Sequence, residues 1–438
     1  MRVGRGAVTA ASLVVLALPY ASACGDEFRF AETSGSMGGS TSSAGAEGGA
    51  GGAELTVSVS SGGAGGAGGS GGPGGHDGAA GVGGVGGSGG QGGAGGQGGA
   101  GGSNATCPGE APLCANEWVT PDAGLTGIAA IAAGKNGVWV ATKSALYVVP
   151  IDDATPKLVA GDASAVGYFD EAIGMNARFD TLTGLAVDDV AETVYLSDKA
   201  NCVIRKVSIA EGGTYPVDTI SGFPGDCVAT DSMVAADVRW KDLNALALEP
   251  SGNIPATALF VVNGNRIRKL DLLLKGTQAV AGQDGAGIVD SADSAASKFN
   301  TPKGLVFDAG TLLVADTGSH RVRTVDLMNA AAVTSVCGKT AGLVEGPCME
   351  AKFSQPNAAI RVPSTNSILV SDKQNDRLRL VAMGEASTLV GGTDASKVGI
   401  GTDAALQNPT AMVLAKVGGA NVAFVVENAK AIRRIPLD

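Results

Sequence analysis

The sequence predicts an all-β fold, a six-bladed β-propeller that follows a disordered Gly-rich linker. Three observations carry that prediction. Beyond Thr120, short apolar β-type runs alternate with turn residues, and one phrase recurs six times at intervals of about 53 to 61 residues. Glycine, which accounts for 69 residues, is concentrated in a block ahead of these repeats, where no apolar periodicity exists. Each of the six units is long enough for several short strands, as the blades of a β-propeller require.

The N-terminal segment reads MRVGRGAVTAASLVVLALPYASACGD. Arg2 and Arg5 precede an apolar run from Ala7 to Leu18, and small residues lead to Cys24. The run is too short for a comfortable bilayer span and has the zones of a secretory signal peptide, which we place at residues 1–23. Ala21-Ser22-Ala23-Cys24 resembles a bacterial lipobox, with Ala21 where Leu is commoner. The resemblance implies a lipid on Cys24, and Gly25 lacks the aspartate that would retain the chain at an inner membrane. The expectation is an exported protein held by a lipid anchor in the outer membrane or at the cell surface.

Residues 24–104 are dominated by Gly, Ala and Ser. Such a segment cannot recover its backbone entropy by burial, so it is read as a flexible tether spanning on the order of 50 Å. His76 falls inside it. The folded part is assigned to residues 105–438. A formal net charge of −11 argues against a nucleic-acid partner, whose backbone needs clustered Lys and Arg.

Within the repeats three strands are read directly in each unit. Unit two shows an opener, GLAVDD from Gly184, then TVYLSD, then CVIRKV. The other openers begin at Gly127, Ala245, Gly304, Ala358 and Ala411. A fourth strand follows as KLVAG, DTISG, QAVAG, TSVCG and STLVG in the first five units. The sixth lacks one, and NEWVTPDAG, ahead of unit one, is expected to supply it and close the ring.

Asp316 in VADTGSHRVRTVDL aligns with Asp198, Asn263, Asp372 and Glu427, and Arg323 with Arg205, Arg268, Arg379 and Arg433. An aromatic or apolar residue precedes the openers of units two to six, at Phe179, Trp240, Phe299, Phe353 and Leu406, followed in the last three by Pro302, Pro356 and Pro409. This pattern closely resembles the NHL repeat over about residues 118–438, with His320 and Arg321 matching and Ser319 replacing an Asn. Unit one lacks the Asp and the Arg. The resemblance implies a six-bladed propeller in which the in-register Asp and Arg fix loops, and His320 fills a loop position.

Setting Cys24 aside leaves Cys107, Cys114, Cys202, Cys227, Cys337 and Cys348. An even count in an exported chain predicts disulfides. In a four-stranded blade the loop between the second and third strands shares a face with the connection to the next blade. Sequential pairing is therefore expected: Cys107 with Cys114, Cys202 with Cys227 and Cys337 with Cys348.

Two functional readings follow. In the first, the propeller is a non-catalytic binding or scaffold module, monomeric, without a cofactor, for a protein, peptide or polysaccharide. Its site would be the channel mouth, where Thr126, Thr183, Asn244, Lys303, Asn357 and Thr410 precede the openers, and acidic loops bearing Asp170, Asp231, Asp290 and Glu345 would favour a cationic or polar ligand. In the second, the chain is an envelope enzyme of lactonase or lyase type. It would hold calcium or another divalent cation on Asp188, Glu249 and Asp308, at equivalent ends of three inner strands, with Ile131, Val362 and Ala415 in the remaining units. A His-ligated metal site needs several imidazoles, and the folded part has one.

Overall fold

The computed structural model describes residues 111–209, 212–392 and 398–438. The signal segment, Cys24, the Gly-rich tether and Cys107 lie outside the described residues.

Six four-stranded antiparallel meanders form the domain, their strands termed a to d from the channel outward. The first blade comprises Ala130–Gly134, Gly137–Ala141, Ala145–Val149 and Lys157–Gly161. The second is Leu182–Asp188, Thr193–Asp198, Val203–Ser208 and Val217–Gly222. The third is Leu243–Ser251, Ile254–Asn263, Arg266–Asp271 and Thr277–Gly282. The fourth is Gly304–Asp308, Thr311–Asp316, Arg321–Asp326 and Ala332–Cys337. The fifth is Pro356–Val362, Ser367–Asp372, Arg377–Ala382 and Glu385–Val390. The sixth has Pro409–Val417, Ala420–Glu427 and Ala431–Pro436 as strands a to c.

Strand d of the sixth blade is Asn116–Val119, which pairs antiparallel with Ala431–Pro436 as expected. Trp118 packs on Phe424 at 4.5 Å between ring centroids, and Val119 is buried. Each inner strand touches those of both neighbouring blades, and the sixth touches the first. The ring is closed.

Alternating residues of each blade pack against the facing blade, giving six interblade cores. One holds Trp139, Leu146, Phe179, Leu185 and Leu196 between blades one and two. Another holds Val262, Phe299, Leu305 and Val314 between blades three and four. The glycine that ends strand d has a steric reason. Gly222 and Gly338 have φ of 96° and 102°, and a Cβ there would sit 2.6 and 2.5 Å from the Cys202 and His320 carbonyl oxygens.

The connections between blades turn back over the next blade's rim. Glu171 bridges Val217, Ser291 bridges Val333, and Gly346–Pro347 forms a fifth strand on Glu385–Val390. These excursions cover open sheet edges, and the sequence reading did not foresee them. Cys202–Cys227 and Cys337–Cys348 are disulfides, with Cα separations of 5.3 and 4.4 Å. Cys114 is disulfide-bonded as well; its expected partner Cys107 is outside the described residues.

Candidate binding face at the channel mouth

The recurrent Asp and Arg are interior groups. Arg205, Arg268, Arg323, Arg379 and Arg433 are each at most 1% exposed. Each reaches from strand c to the end of strand b: Arg323 Nη1 donates to Asp316 Oδ2 at 3.1 Å and Arg379 Nη1 to Asp372 Oδ2 at 3.1 Å. Four of these guanidiniums also lie over the aromatic ring of the preceding connection, at 4.9 Å for Phe179, 4.2 Å for Trp240, 4.6 Å for Phe299 and 5.4 Å for Phe353. Arg323 further donates to the Lys298 and Val289 carbonyls, tying the connection down. Burial pushes the Asp198 carboxyl up to about 6, against hydrogen bonds from Asn201, Asp180 N–H and Arg205.

This corrects the reading of the acidic loops. Asp231 pairs with Arg268 at 2.6 Å, Asp290 with Arg323 at 2.7 Å, and Asp170 with Arg205. Glu345 accepts from Thr388 N–H at 2.8 Å and lies in the field of Arg379. Burial raises the Asp290 carboxyl, yet hydrogen bonds from Arg323 and Ser335 carry it below the ordinary range. These residues remain exposed, but the three aspartates are ion-paired to blade arginines and Glu345 is held by Thr388, so part of their charge is spent within the blades.

His320 takes a left-handed backbone conformation, φ 57°, closing the turn after strand b. Its Nδ1 accepts from Gln355 N–H at 3.1 Å. Asn265 and Asp376 do the same for Thr301 N–H and Asn408 N–H, at 2.8 and 2.6 Å. The imidazole is thus an interblade link, and burial lowers its pKa.

The inner strands enclose a channel cavity of about 650 Å³. Its wall is mainly apolar, with Ile131, Leu185, Leu246, Leu305, Ile360 and Met412, and Thr183, Lys303 and Asn357 lie at the end where the openers begin. Thr183 Oγ1 donates to Leu243 O at 3.0 Å, Lys303 Nζ to Asn244 Oδ1 at 3.0 Å, and Asn244 Nδ2 to Asp242 O at 3.1 Å. The Thr410 hydroxyl is buried without a hydrogen-bond partner.

Thr126 does not join this set. Strand pairing matches Ala130 with Ala141 as it matches Gly184 with Ser197, so Ala129 is the counterpart of Thr183 and Gly134 that of Asp188. Unit one is shifted by three residues from the sequence alignment, and Thr126 lines a separate cleft with Thr142, Lys143 and Tyr147.

At the far end, Asp188, Glu249 and Asp308 are not brought together. Asp188 accepts from Val190, Ala191 and Ala256 N–H; Glu249 pairs with Lys269 at 3.0 Å, and Asp308 with Arg361. Among the described residues no group of three or more His, Cys, Asp or Glu side chains could hold a metal ion.

Two further residues belong to the mouth. Lys199 and Lys373 each follow strand b directly, and both act electrostatically on Lys303. Their recurrence in SDKANC and SDKQND was a usable sequence signal.

Fold and mouth together define a closed six-bladed propeller with a one-ended polar channel opening. No protein-family profile matches the chain, and no curated protein matches it. Among solved structures it is similar to an auxiliary nutrient binding protein from Bacteroides thetaiotaomicron, with TM-score 0.52, 11% identity, and 71% of this chain and 69% of that one covered. A second such protein, from Bacteroides ovatus, aligns with TM-score 0.52 and 11% identity over 72% of this chain and 70% of that one. A Bacteroides thetaiotaomicron protein described as a candidate phosphatase gives TM-score 0.51 and 12% identity over 71% of each chain. At such identities the likeness is one of fold, and a fold shared by proteins so differently described does not decide between binding and catalysis.

Proposed function

We propose that this chain is an exported propeller of NHL-type repeats, lipid-anchored through Cys24, which binds an extracytoplasmic ligand at the channel mouth without turning it over. The observation that carries the reading is the channel itself: an apolar cavity of about 650 Å³ with Thr183, Lys303 and Asn357 at one opening. Sites for small ligands have this composition, an apolar wall with a few placed polar groups. The carboxylates that would serve metal-assisted chemistry, Asp188, Glu249 and Asp308, are engaged by backbone N–H groups, Lys269 and Arg361. The nutrient-binding description of two structural neighbours points the same way. Disulfides at Cys202–Cys227 and Cys337–Cys348 fit an oxidising compartment. The Gly-rich stretch over residues 24–104 would serve as the tether between the anchor and the propeller.

The test is a thermal-shift and calorimetric screen of the full-length oxidised chain against oligosaccharides, peptides and small organic acids. A ligand specific to the fold raises the melting temperature by mass action. Saturable binding of one ligand per chain, recovered unchanged, is the expected result. Chemical conversion of a bound compound overturns the non-catalytic reading. Labelling with a radioactive fatty acid, abolished by Cys24→Ala, tests the anchor.

A further inference from the structure

The charge around the mouth selects a ligand class, an inference that rests on the mouth being the binding site. Lys303 lines the channel and, among the described residues, makes no ion pair; its Nζ donates to the Asn244 amide oxygen at 3.0 Å. The other charged residues lining the cavity, Asp308 and Arg361, neutralise one another at the far end. The charged groups acting on Lys303 are Lys199, Lys373 and Asp242, and Asp242 stands 3.9 Å from Lys199. The local balance is therefore positive although the whole chain carries −11. Local charge decides the matter, because salt screens distant carboxylates beyond about 8 Å under physiological conditions.

Although Lys303 is exposed at the mouth, its ammonium has two like charges acting on it, from Lys199 and Lys373. Partial burial, with Lys199 and Lys373 adding to it, lowers its pKa against the opposing effect of Asp242. A negative group placed beside it relieves that cost. Below it, Leu185, Leu246, Leu305, Ile360 and Met412 present an apolar wall to whatever part of the ligand enters. Thr183 and Asn357 line the same opening.

We propose that the channel mouth binds a small amphipathic anion, its carboxylate or phosphate head on Lys303 between Thr183 and Asn357 and its apolar body in the channel. Lys199 and Lys373 supply the surrounding positive field. An apolar body excludes simple oligosaccharides from the deep position, and the anionic head excludes cations.

The experiment is isothermal titration of the full-length oxidised chain with four probes below their micellar concentrations: decanoate, decyl phosphate, decyltrimethylammonium and octyl glucoside. The two anions should bind at least tenfold more tightly than the cationic and neutral probes. Their ratio identifies the preferred head. Lys303→Met should weaken both anions at least tenfold while leaving octyl glucoside unchanged, and Lys303→Arg should keep most of the affinity. Ala129→Trp, at an exposed channel-lining position, should block every probe that enters. Equal affinity for all four probes, abolished by Ala129→Trp, overturns the charge assignment and leaves the mouth as a site. Binding of no probe, or binding that neither Lys303→Met nor Ala129→Trp alters, overturns both.

Discussion

Two arginines, Arg321 and Arg323, flank Val322 in the fourth blade, and their roles should separate sharply on substitution. Arg323 is fully buried, pairs with Asp316 at 3.1 Å and Asp290 at 2.7 Å, binds the Lys298 and Val289 carbonyls and lies 4.6 Å over Phe299. Arg323→Met keeps much of the aliphatic stem but strands Asp316, itself fully buried, with Asn300 N–H as its remaining hydrogen-bond donor. Removing one partner of a buried pair costs about 3 to 5 kcal/mol, mostly the penalty of the charge left behind. Arg321 makes only long contacts, 3.3 to 3.4 Å, to Lys339 O and Ser335 Oγ. Arg321→Met should cost about 0.5 kcal/mol or less. Urea unfolding at pH 7 reads both, as midpoint shifts at unchanged slope. Burial already raises the Asp316 pKa, so in Arg323→Met the carboxyl can take a proton and shed its charge. The loss should then shrink at pH 5. Equal small losses for both variants would refute the claim that the repeated arginines hold the connections down.

The disulfide, the closing strand and the histidine link give three further tests. Cys202→Ser with Cys227→Ser opens a loop with a sequence separation of 25 and should lower stability by about 3 kcal/mol on the chain-entropy account, seen as an earlier urea midpoint. Val119→Asp places a charge at a buried position of the closing strand, so Ala431–Pro436 should lose its cover; thermal melting should fall, and size-exclusion chromatography should show strand-edge association. His320 has a lowered pKa and uses neutral Nδ1 as an acceptor, so the folded state binds a proton less readily than the unfolded one. Its contribution is present above the unfolded value of about 6.5 and is lost as pH falls below it. His320→Asn, resembling Asn265 in the third blade, should therefore gain on wild type between pH 8 and pH 5 in urea midpoint. A constant difference between the two proteins across that range removes the histidine from the acid response.

Much of the fold was legible because the repeats supply fixed landmarks. Asp198, Asp316 and Asp372 mark the end of strand b and Arg205, Arg323 and Arg379 the middle of strand c, so the strands between them fall into register. The closing strand was legible as the complement of a missing fourth strand. Unit one escaped correct alignment because its landmarks are gone: Thr142 replaces the Asp and Tyr147 the Arg, so its opener was anchored on the wrong glycine. The rim excursions were illegible for another reason. Glu171 and Ser291 make single bridges, too short to impose an alternating pattern. The loop acids are exposed, as loop carboxylates usually are, but their pairing with the buried arginines was not foreseen. A correlated feature would have corrected this: Asp170, Asp231, Asp290 and Glu345 precede units that carry the buried Arg, while unit one lacks both.

That correlation separates structure from function in a repeated fold. A residue present in most blades answers a demand that most blades share, and the Asp, Arg and aromatic positions answer the demand to pin a long connection. A ligand in the channel breaks the rotational symmetry of its walls, so the residues that recognise it must differ from blade to blade. The position before the opener holds Ala129, Thr183, Asn244, Lys303, Asn357 and Thr410, a set that differs from blade to blade and carries a single charge, on Lys303. Lys199 and Lys373 share their position after strand b with Lys143 of blade one, while Gly264, Thr317 and Asn428 fill it elsewhere. Lys303 departs from its counterparts in charge and has Lys199 and Lys373 acting on it, and that coincidence, rather than any motif, is what favours the mouth as the proposed site.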